Sequence, residues 1–165
     1  YNNNDNFKKY EKVIADTVWC NDKSVSGSGY YTKATSYGAS QRLISTSGSA
    51  GGTGPSLKCN GELSKITSKV GLITADELVY AGYAPLLFNS TTYLQENATD
   101  TYWWSLSPDS FDGRYAYVWF VGGSDGYFAY FSYVNDMYGV RPSISLKSTT
   151  NVTGNGTSEN PFKVI

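Results

Sequence analysis

The sequence predicts an α+β fold, in which two helices precede small antiparallel sheets and long irregular loops join the elements. Three observations lead to this prediction. Apolar residues recur at helical spacing near the start of the chain, a helix-capping pair stands at Thr74 and Glu77, and aromatic strands follow Tyr102. At 165 residues, the chain is expected to form one domain, 1–165, that can bury a core.

The first predicted helix covers residues 6–19. Lysines and a glutamate between residues 8 and 12 would occupy one face. Asp5 is the expected N-cap residue. The opposite, apolar face would consist of residues spaced by three and four: Phe7, Tyr10, Val13, Ile14 and Val18.

Residues 21–60 are predicted to form a long loop, because serine, glycine and threonine dominate them and several glycines precede Pro55. Cys20 and Cys59 flank this stretch. In an exported protein a single disulfide is favoured over two buried free thiols. Such a bridge would join the two ends of the loop and contribute on the order of 4 kcal/mol.

The second predicted helix covers residues 74–82. Thr74 and Glu77 have the spacing of a capping box, in which each side chain bonds the other residue's backbone N–H. Leu78 and Val79 supply apolar packing, and Gly82 is the expected C-cap.

Three strands and a terminal segment are predicted from about Tyr102 onward. Tyr115–Val121 alternates aromatic with small or aliphatic residues, and Tyr127–Val134 is strongly aromatic. The intervening Ser124-Asp125-Gly126 is typical of a hairpin turn. Gly139–Leu146 is the third predicted strand, and Phe162–Ile165 is a short final segment.

The composition argues against several classes of function. The formal net charge is -1, without the basic excess that nucleic-acid binding needs. No apolar run approaches the length of a membrane span, so we expect no membrane insertion by this domain. Histidine is absent, no serine stands in a nucleophile elbow and no carboxylate pair is marked by its context, so we expect no enzyme.

The aromatic strands contain the candidate ligand-binding site, since Tyr, Ser, Gly and Asn dominate many binding surfaces. Alternate residues of a strand share a face, so Tyr115, Tyr117 and Trp119 would project together. Both faces of the second strand are rich in aromatics, and a core requires only one of them. A strand buried on both sides is the alternative. The expected contacts are Tyr115, Tyr117, Trp119, Phe120, Tyr127, Tyr130, Phe131, Tyr133, Asn135, Asp136 and Tyr138.

Structural roles are expected for Arg141 and for at least one of two adjacent tryptophans. Of Trp103 and Trp104, one should lie in the core and the other at the border of the site; burial of both is equally consistent with the sequence. Arg141 precedes a proline at the start of a predicted strand and should bind a buried carboxylate or carbonyls. Asp76 and Glu77 are candidate partners.

Three aspartates are candidates for either turns or a cation. Asp109, Asp112 and Asp125 could offer oxygen ligands to Ca²⁺, but they lack the regular spacing and terminal glutamate of an EF-hand. We favour turn residues that accept bonds from their own backbone, and so expect no cofactor and no metal.

Several motifs together resemble a known family. These are Gly71-Leu72-Ile73-Thr74-Ala75-Asp76-Glu77-Leu78, Tyr102-Trp103-Trp104-Ser105-Leu106, Tyr138-Gly139-Val140-Arg141-Pro142 and the closing Gly156–Phe162. They resemble bacterial surface domains with the C-type-lectin-like fold of the formylglycine-generating-enzyme branch. The resemblance covers most of residues 10–165. It departs from those enzymes in its cysteines, which lie in the first 59 residues, and it lacks the Glu-Pro-Asn or Gln-Pro-Asp triplet of calcium-dependent lectins.

The resemblance implies a C-type-lectin-like fold and a function. The family includes the variable proteins of diversity-generating retroelements, in which adenine-directed mutagenesis changes Asn codons to those for Tyr, Ser, Asp, Gly or Phe. Residues 103–138, rich in these types, would be the variable binding region.

We therefore expect a receptor or adhesin domain on a bacterial surface, pilus or phage particle, with any leader or anchor upstream of residue 1. Its ligand would be a macromolecule, a protein rather than a glycan. A fixed carbohydrate-binding module and a structural tip domain of a surface fibre are the alternatives.

Overall fold

The fold is α+β, as predicted, with short helices and antiparallel sheets. A computed structural model describes residues 5–25, 35–59, 65–89, 91–96 and 101–165. The helices are α1 (Asp5–Glu11), α2 (Gly38–Leu43), α3 (Ala75–Tyr80) and α4 (Tyr93–Glu96). The strands are β1 (Thr17–Cys20), β2 (Thr35–Ser36), β3 (Lys65–Ser68), β4 (Gly71–Leu72), β5 (Trp103–Phe111), β6 (Ala116–Val121), β7 (Phe128–Tyr133), β8 (Pro142–Ser143), β9 (Val152–Thr153) and β10 (Lys163–Val164).

The principal sheet is antiparallel, with the strand order β2-β5-β6-β7. The predicted hairpin joins β6 to β7, and the N–H of Gly122 donates to the carbonyl of Tyr127 at 2.8 Å. Gly126 has a φ of 64°, a conformation that glycine adopts without a steric penalty. The turn prediction is therefore confirmed.

A β-bulge interrupts the pairing of β6 with β7. Val118 is opposite Ser132, and Phe120 is opposite Ala129. Trp119 therefore faces two residues, Tyr130 and Phe131. A bulge of this kind re-aims side chains and increases the local twist. Here Tyr130 packs near Trp119 and Phe131 packs against Phe120, while the two adjacent rings still meet edge to face at 5.9 Å.

Outside the principal sheet, the described strands form pairs: β1 with β3, β4 with β8, and β9 with β10. The predicted strand Gly139–Leu146 is only partly correct. Within it, only Pro142–Ser143 forms a ladder, and its partner is Gly71–Leu72. Gly139 and Leu146 make isolated bridges, to Trp103 and Ile14. The final segment does form β10, which pairs with β9.

The predicted helix 6–19 is wrong beyond Glu11. Residues Thr17–Cys20 form β1 instead, paired with β3. The run Thr17-Val18-Trp19 contains β-branched and aromatic residues, which suit a strand. Ile14, assigned to the helical face, bridges Leu146. Hydrophobic spacing alone could not separate a short helix followed by a strand from one longer helix.

The predicted loop 21–60 contains two elements that the sequence did not indicate, β2 and α2. Helix α2 inserts Ala39 and Leu43 into the core. Its apolar pattern is too short to stand out from the surrounding serines and glycines. The predicted disulfide is present: Cys20 and Cys59 are bonded, with their Cα atoms 5.6 Å apart.

Helix α3 confirms the second helix prediction. The Oγ of Thr74 accepts from the N–H of Glu77 at 3.1 Å, and the N–H of Thr74 donates to the Glu77 carboxylate at 2.8 Å. Ala81 is the C-cap, and Gly82 follows it with a φ of 98°. Both bonds of the capping box therefore form as the spacing predicts.

The hydrophobic core lies between the principal sheet and helices α2 and α3. The buried core residues are Ala39, Leu43, Ala75, Leu78, Tyr83, Trp103, Trp119, Val121 and Phe128.

The described part of the chain contains no helix with the length and hydropathy of a bilayer span.

Candidate binding surface

Seven aromatic rings form a connected group outside this core. Each ring centroid lies within 6.4 Å of another in the group. We call this group the aromatic surface: Phe88, Tyr102, Trp104, Phe120, Tyr127, Phe131 and Tyr138.

Phe120 is the centre of the aromatic surface. Its ring centroid lies 5.6 Å from that of Tyr102, 5.8 Å from that of Phe131 and 5.5 Å from that of Tyr138. The surrounding rings cover Phe120, which is 4% exposed. Phe131 is 53% exposed and Tyr102 46%. Phe120 therefore supports the more exposed rings from beneath.

One edge of the aromatic surface is held by the hairpin turn. The Asp125 carboxylate accepts from the N–H of Tyr127 at 2.9 Å, and the Tyr127 ring lies 5.1 Å from that of Phe88. Asn89 is buried and donates from its amide to the carbonyls of Leu87 and Gly126, at 2.8 and 3.1 Å. These bonds fix the segment carrying Phe88, which is 70% exposed, beside the turn.

Tyr115, Tyr117 and Tyr133 form a second group, the tyrosine cluster. The Tyr133 ring lies 4.9 Å from that of Tyr115 and 5.1 Å from that of Tyr117. The hydroxyl of Tyr117 donates to the Asp112 carboxylate at 2.9 Å. Desolvation, and after it the bond to Asp112, raises the pKa of Tyr117 above its usual value, because a hydroxyl that donates to a carboxylate holds its proton more tightly.

Asp112 closes the turn before the tyrosine cluster, as predicted for it. One carboxylate oxygen accepts from the N–H of Tyr115 at 2.7 Å and from that of Arg114 at 2.8 Å. These backbone bonds, first to Tyr115 and then to Arg114, lower the pKa of Asp112 below its usual 3.8.

The lowered pKa of Asp112 predicts a pH dependence of stability. A carboxylate whose pKa falls on folding contributes stability above its unfolded-state pKa, and this is lost as pH falls through the folded-state value. Asp112→Asn should therefore lose less unfolding free energy than wild type between pH 5 and pH 2, as measured by urea unfolding. Glu159→Gln changes the charge at an exposed position outside this turn and is the control. An equal or steeper loss in Asp112→Asn than in wild type would contradict the assignment.

Three predicted contact residues need correction. Trp119 is 0% exposed and packs against Phe128 in the core, because its strand turns that face toward α2. Phe120 is covered by other rings. Tyr130 lies between the aromatic surface and the core, with its ring 5.9 Å from that of Phe131 and 5.4 Å from that of Trp119.

The remaining predicted contacts lie at or near the surface. Asn135 is exposed, whereas Asp136 is half-buried and accepts from the N–H of Tyr133 at 3.0 Å. Asp136 therefore closes the turn after β7. The structure brings together Tyr127, Phe131 and Tyr138 in one group, and Tyr115, Tyr117 and Tyr133 in the other.

Sequence reasoning missed Phe88 and Tyr102 as members of the aromatic surface. Phe88 lies far from the aromatic strands in sequence, so only its proximity to Tyr127 reveals it. Tyr102 stands just before β5, and its distance to Phe120 assigns it to the surface. The run of three aromatic residues at 102–104 was the local sequence feature that could have indicated Tyr102 as a member of the aromatic surface.

The structural predictions for the tryptophans and Arg141 hold in part. Trp103 is buried, whereas Trp104 is half-buried and stacks on Tyr138 at 4.4 Å, so the pair is split. Arg141 donates to the carbonyl of Leu94 at 2.7 Å and lies over the Trp103 ring. The suggested acidic partners of Arg141 bind elsewhere: the Asp76 carboxylate is bound by Arg42, and that of Glu77 by Thr74.

The turn prediction for the three aspartates is correct for two of them. Asp112 and Asp125 each accept a backbone N–H two residues on. Asp109 is instead a buried residue of β5. No group of three metal-ligating side chains exists among the residues that the structure describes.

Comparison with known proteins finds no matching family model, no similar curated protein and no similar solved structure.

Proposed function

We propose that this chain is a ligand-binding domain of a bacterial cell-surface or phage protein, with a C-type-lectin-like fold, that recognises another protein through the aromatic surface. The observation that carries the proposal is the exposure of rings outside the core: Phe88 is 70% exposed, Phe131 53% and Tyr102 46%. Contiguous exposed apolar surface is typical of interaction sites. Aromatic side chains also dominate binding hot spots.

The ring orientations favour a protein ligand over a glycan. A carbohydrate-binding site would use one or two coplanar rings, free to stack on a sugar. Phe120 and Phe131 meet at 82°, and Tyr102 and Tyr138 at 86°. Trp104 and Tyr138 are nearly parallel but stack on each other. An uneven, multi-ring surface better suits the side chains of a protein partner.

Two observations support the C-type-lectin-like fold and the extracellular location. The motif segments around Leu72 and Pro142 pair directly as β4 and β8, so the resembling segments form one structural unit. The disulfide between Cys20 and Cys59 is the type of bond that persists in oxidising compartments.

The proposal includes diversification by a retroelement. Seven of the predicted contacts lie at or near the surface and belong to types that Asn codons yield when adenines change. Between them lie residues with framework roles, such as Val121 in the core and Gly126 in the turn. The candidate variable positions are Tyr115, Tyr117, Tyr127, Phe131, Tyr133, Asn135 and Tyr138.

Deep sequencing of the codons for residues 100–146 across a natural population tests the diversification. We expect substitutions at the surface positions, traceable to adenines, while the codons for Trp119, Val121 and Phe128 stay fixed. These buried codons are an internal control within the same segment. An invariant segment would contradict diversification. The chain would then be interpreted as a fixed adhesin, a glycan-binding module or a fibre domain.

A further inference from the structure

A cavity of about 420 Å³ lies between α2, β2 and β5, and the ring of Tyr130 separates it from Phe131 of the aromatic surface. None of the seven rings of the aromatic surface contributes to it. Most of its lining residues carry a hydroxyl or an amide group, and Asp109 supplies a carboxylate. The lining residues include Ser36, Ser40, Gln41, Asp109, Ser110 and Tyr130.

Among the residues that the structure describes, the side chain of Asp109 is bonded by uncharged donors alone. It is 4% exposed. The hydroxyl of Ser40 donates to one carboxylate oxygen, and the hydroxyl of Ser110 donates to the other at 2.5 Å. Ser40 also accepts from the indole N–H of Trp119 at 2.9 Å, which links the carboxylate to the core. Each carboxylate oxygen therefore still has a lone pair for a further donor.

The other buried aspartates of the described chain are paired differently. Asp22 and Asp76 both bind Arg42, at 2.7 and 2.6 Å. Among the described residues, no lysine or arginine forms an ion pair with Asp109. Burial raises the pKa of Asp109, against the effect of the two hydroxyl bonds. A buried carboxylate without a cation is costly to the fold and is usually paired.

We propose that this cavity binds a small polar amine, whose ammonium group pairs with Asp109. An ammonium group carries three donors and a positive charge, which match the open lone pairs and a carboxylate that no described cation pairs. Hydroxyl groups on the same molecule would bond Ser36 and Gln41 in the wall. The ring of Tyr130 offers a further attraction for a cation. The proposal does not rest on the proposed function.

Serinol and glycerol provide a matched pair of probes, because they differ only in an ammonium group replacing the central hydroxyl. Each is titrated into the protein at neutral pH and equal ionic strength, with the indole N–H resonance of Trp119 followed by NMR. That resonance reports on Asp109 through Ser40. We expect serinol to produce a saturable shift and glycerol to produce none.

Asp109→Asn keeps the shape of the side chain and removes the charge, and should weaken serinol binding at least about tenfold, the factor that corresponds to 1.4 kcal/mol. Glu159→Gln, an exposed position outside the cavity lining, should bind serinol as wild type does. An equal response to both probes, no response to serinol, or unchanged binding by Asp109→Asn would overturn the proposal. If Asp109→Asn fails to fold, the comparison of serinol with glycerol on the wild-type protein still shows whether the cavity binds an amine.

Discussion

Phe128→Ala is expected to destabilise the fold by about 3–5 kcal/mol, whereas Phe131→Ala should cost less than about 1 kcal/mol. The two phenylalanines lie on the same strand, three residues apart. Phe128 is 0% exposed and contacts the rings of Trp119 and Tyr83. Phe131 is 53% exposed, so its removal leaves no closed cavity. Urea unfolding of both variants measures the difference.

This pair of variants tests the central assumption of the proposed function, that the chain is a rigid frame with exchangeable surface rings. Equal destabilisation by the two changes would show that Phe131 is a core residue, and the aromatic surface would then lose its interpretation as a binding site. The NMR spectrum of Phe131→Ala should remain that of the wild type outside the neighbourhood of Phe120, Tyr127 and Tyr130, which would exclude a rearranged fold.

Arg42→Met should destabilise the chain by about 3–5 kcal/mol, because it leaves two buried carboxylates without their cation. The guanidinium Nε and one Nη bind Asp76 at 2.8 and 2.6 Å, and the other Nη binds Asp22 at 2.7 Å. The side chains of Arg42, Asp22 and Asp76 are 13%, 8% and 5% exposed. The N–H of Ser56 also donates to Asp76, so this network fixes part of the long segment enclosed by the disulfide.

The control for Arg42→Met is Lys69→Met, which removes a more exposed ion pair. Lys69 lies 3.5 Å from Asp16, and their side chains are 32% and 67% exposed. Such pairs contribute about 0–1 kcal/mol. We expect the unfolding midpoint in urea to fall sharply for Arg42→Met and hardly at all for Lys69→Met. Similar midpoints for the two variants would contradict the structural role of the Arg42 network.

Features governed by neighbouring residues were predictable from the sequence. Thr74 and Glu77 stand three residues apart, and a capping box needs nothing beyond that spacing and the backbone between them. Gly126 permits the positive φ of the hairpin turn wherever the hairpin lies. The disulfide between Cys20 and Cys59, 39 residues apart, is the exception: it was favoured over two free thiols because an exported chain with two cysteines usually pairs them.

Features that depend on distant contacts were not predictable. The bulge opposite Trp119 changes which faces Tyr130 and Phe131 occupy, and strict alternation along a strand cannot anticipate an extra residue. The sequence also assigned Trp119 to the binding site, because only the tertiary structure shows that Trp119 packs toward α2. A periodic apolar pattern also extended the first helix through Thr17, where pairing with β3 favours a strand.

The sequence by itself determined the α+β class, the α3 helix with its cap, the hairpin and the aromatic content of the candidate site. Each of these depends on side chains that act on their own or adjacent backbone. Only the tertiary structure decided which rings are exposed, and that Phe88 and Tyr102 join the aromatic surface. It also decided that Arg42 neutralises Asp22 and Asp76, whereas no described cation pairs with Asp109. Burial and charge pairing arise from residues far apart in the chain, so they exist only once packing has brought those residues together.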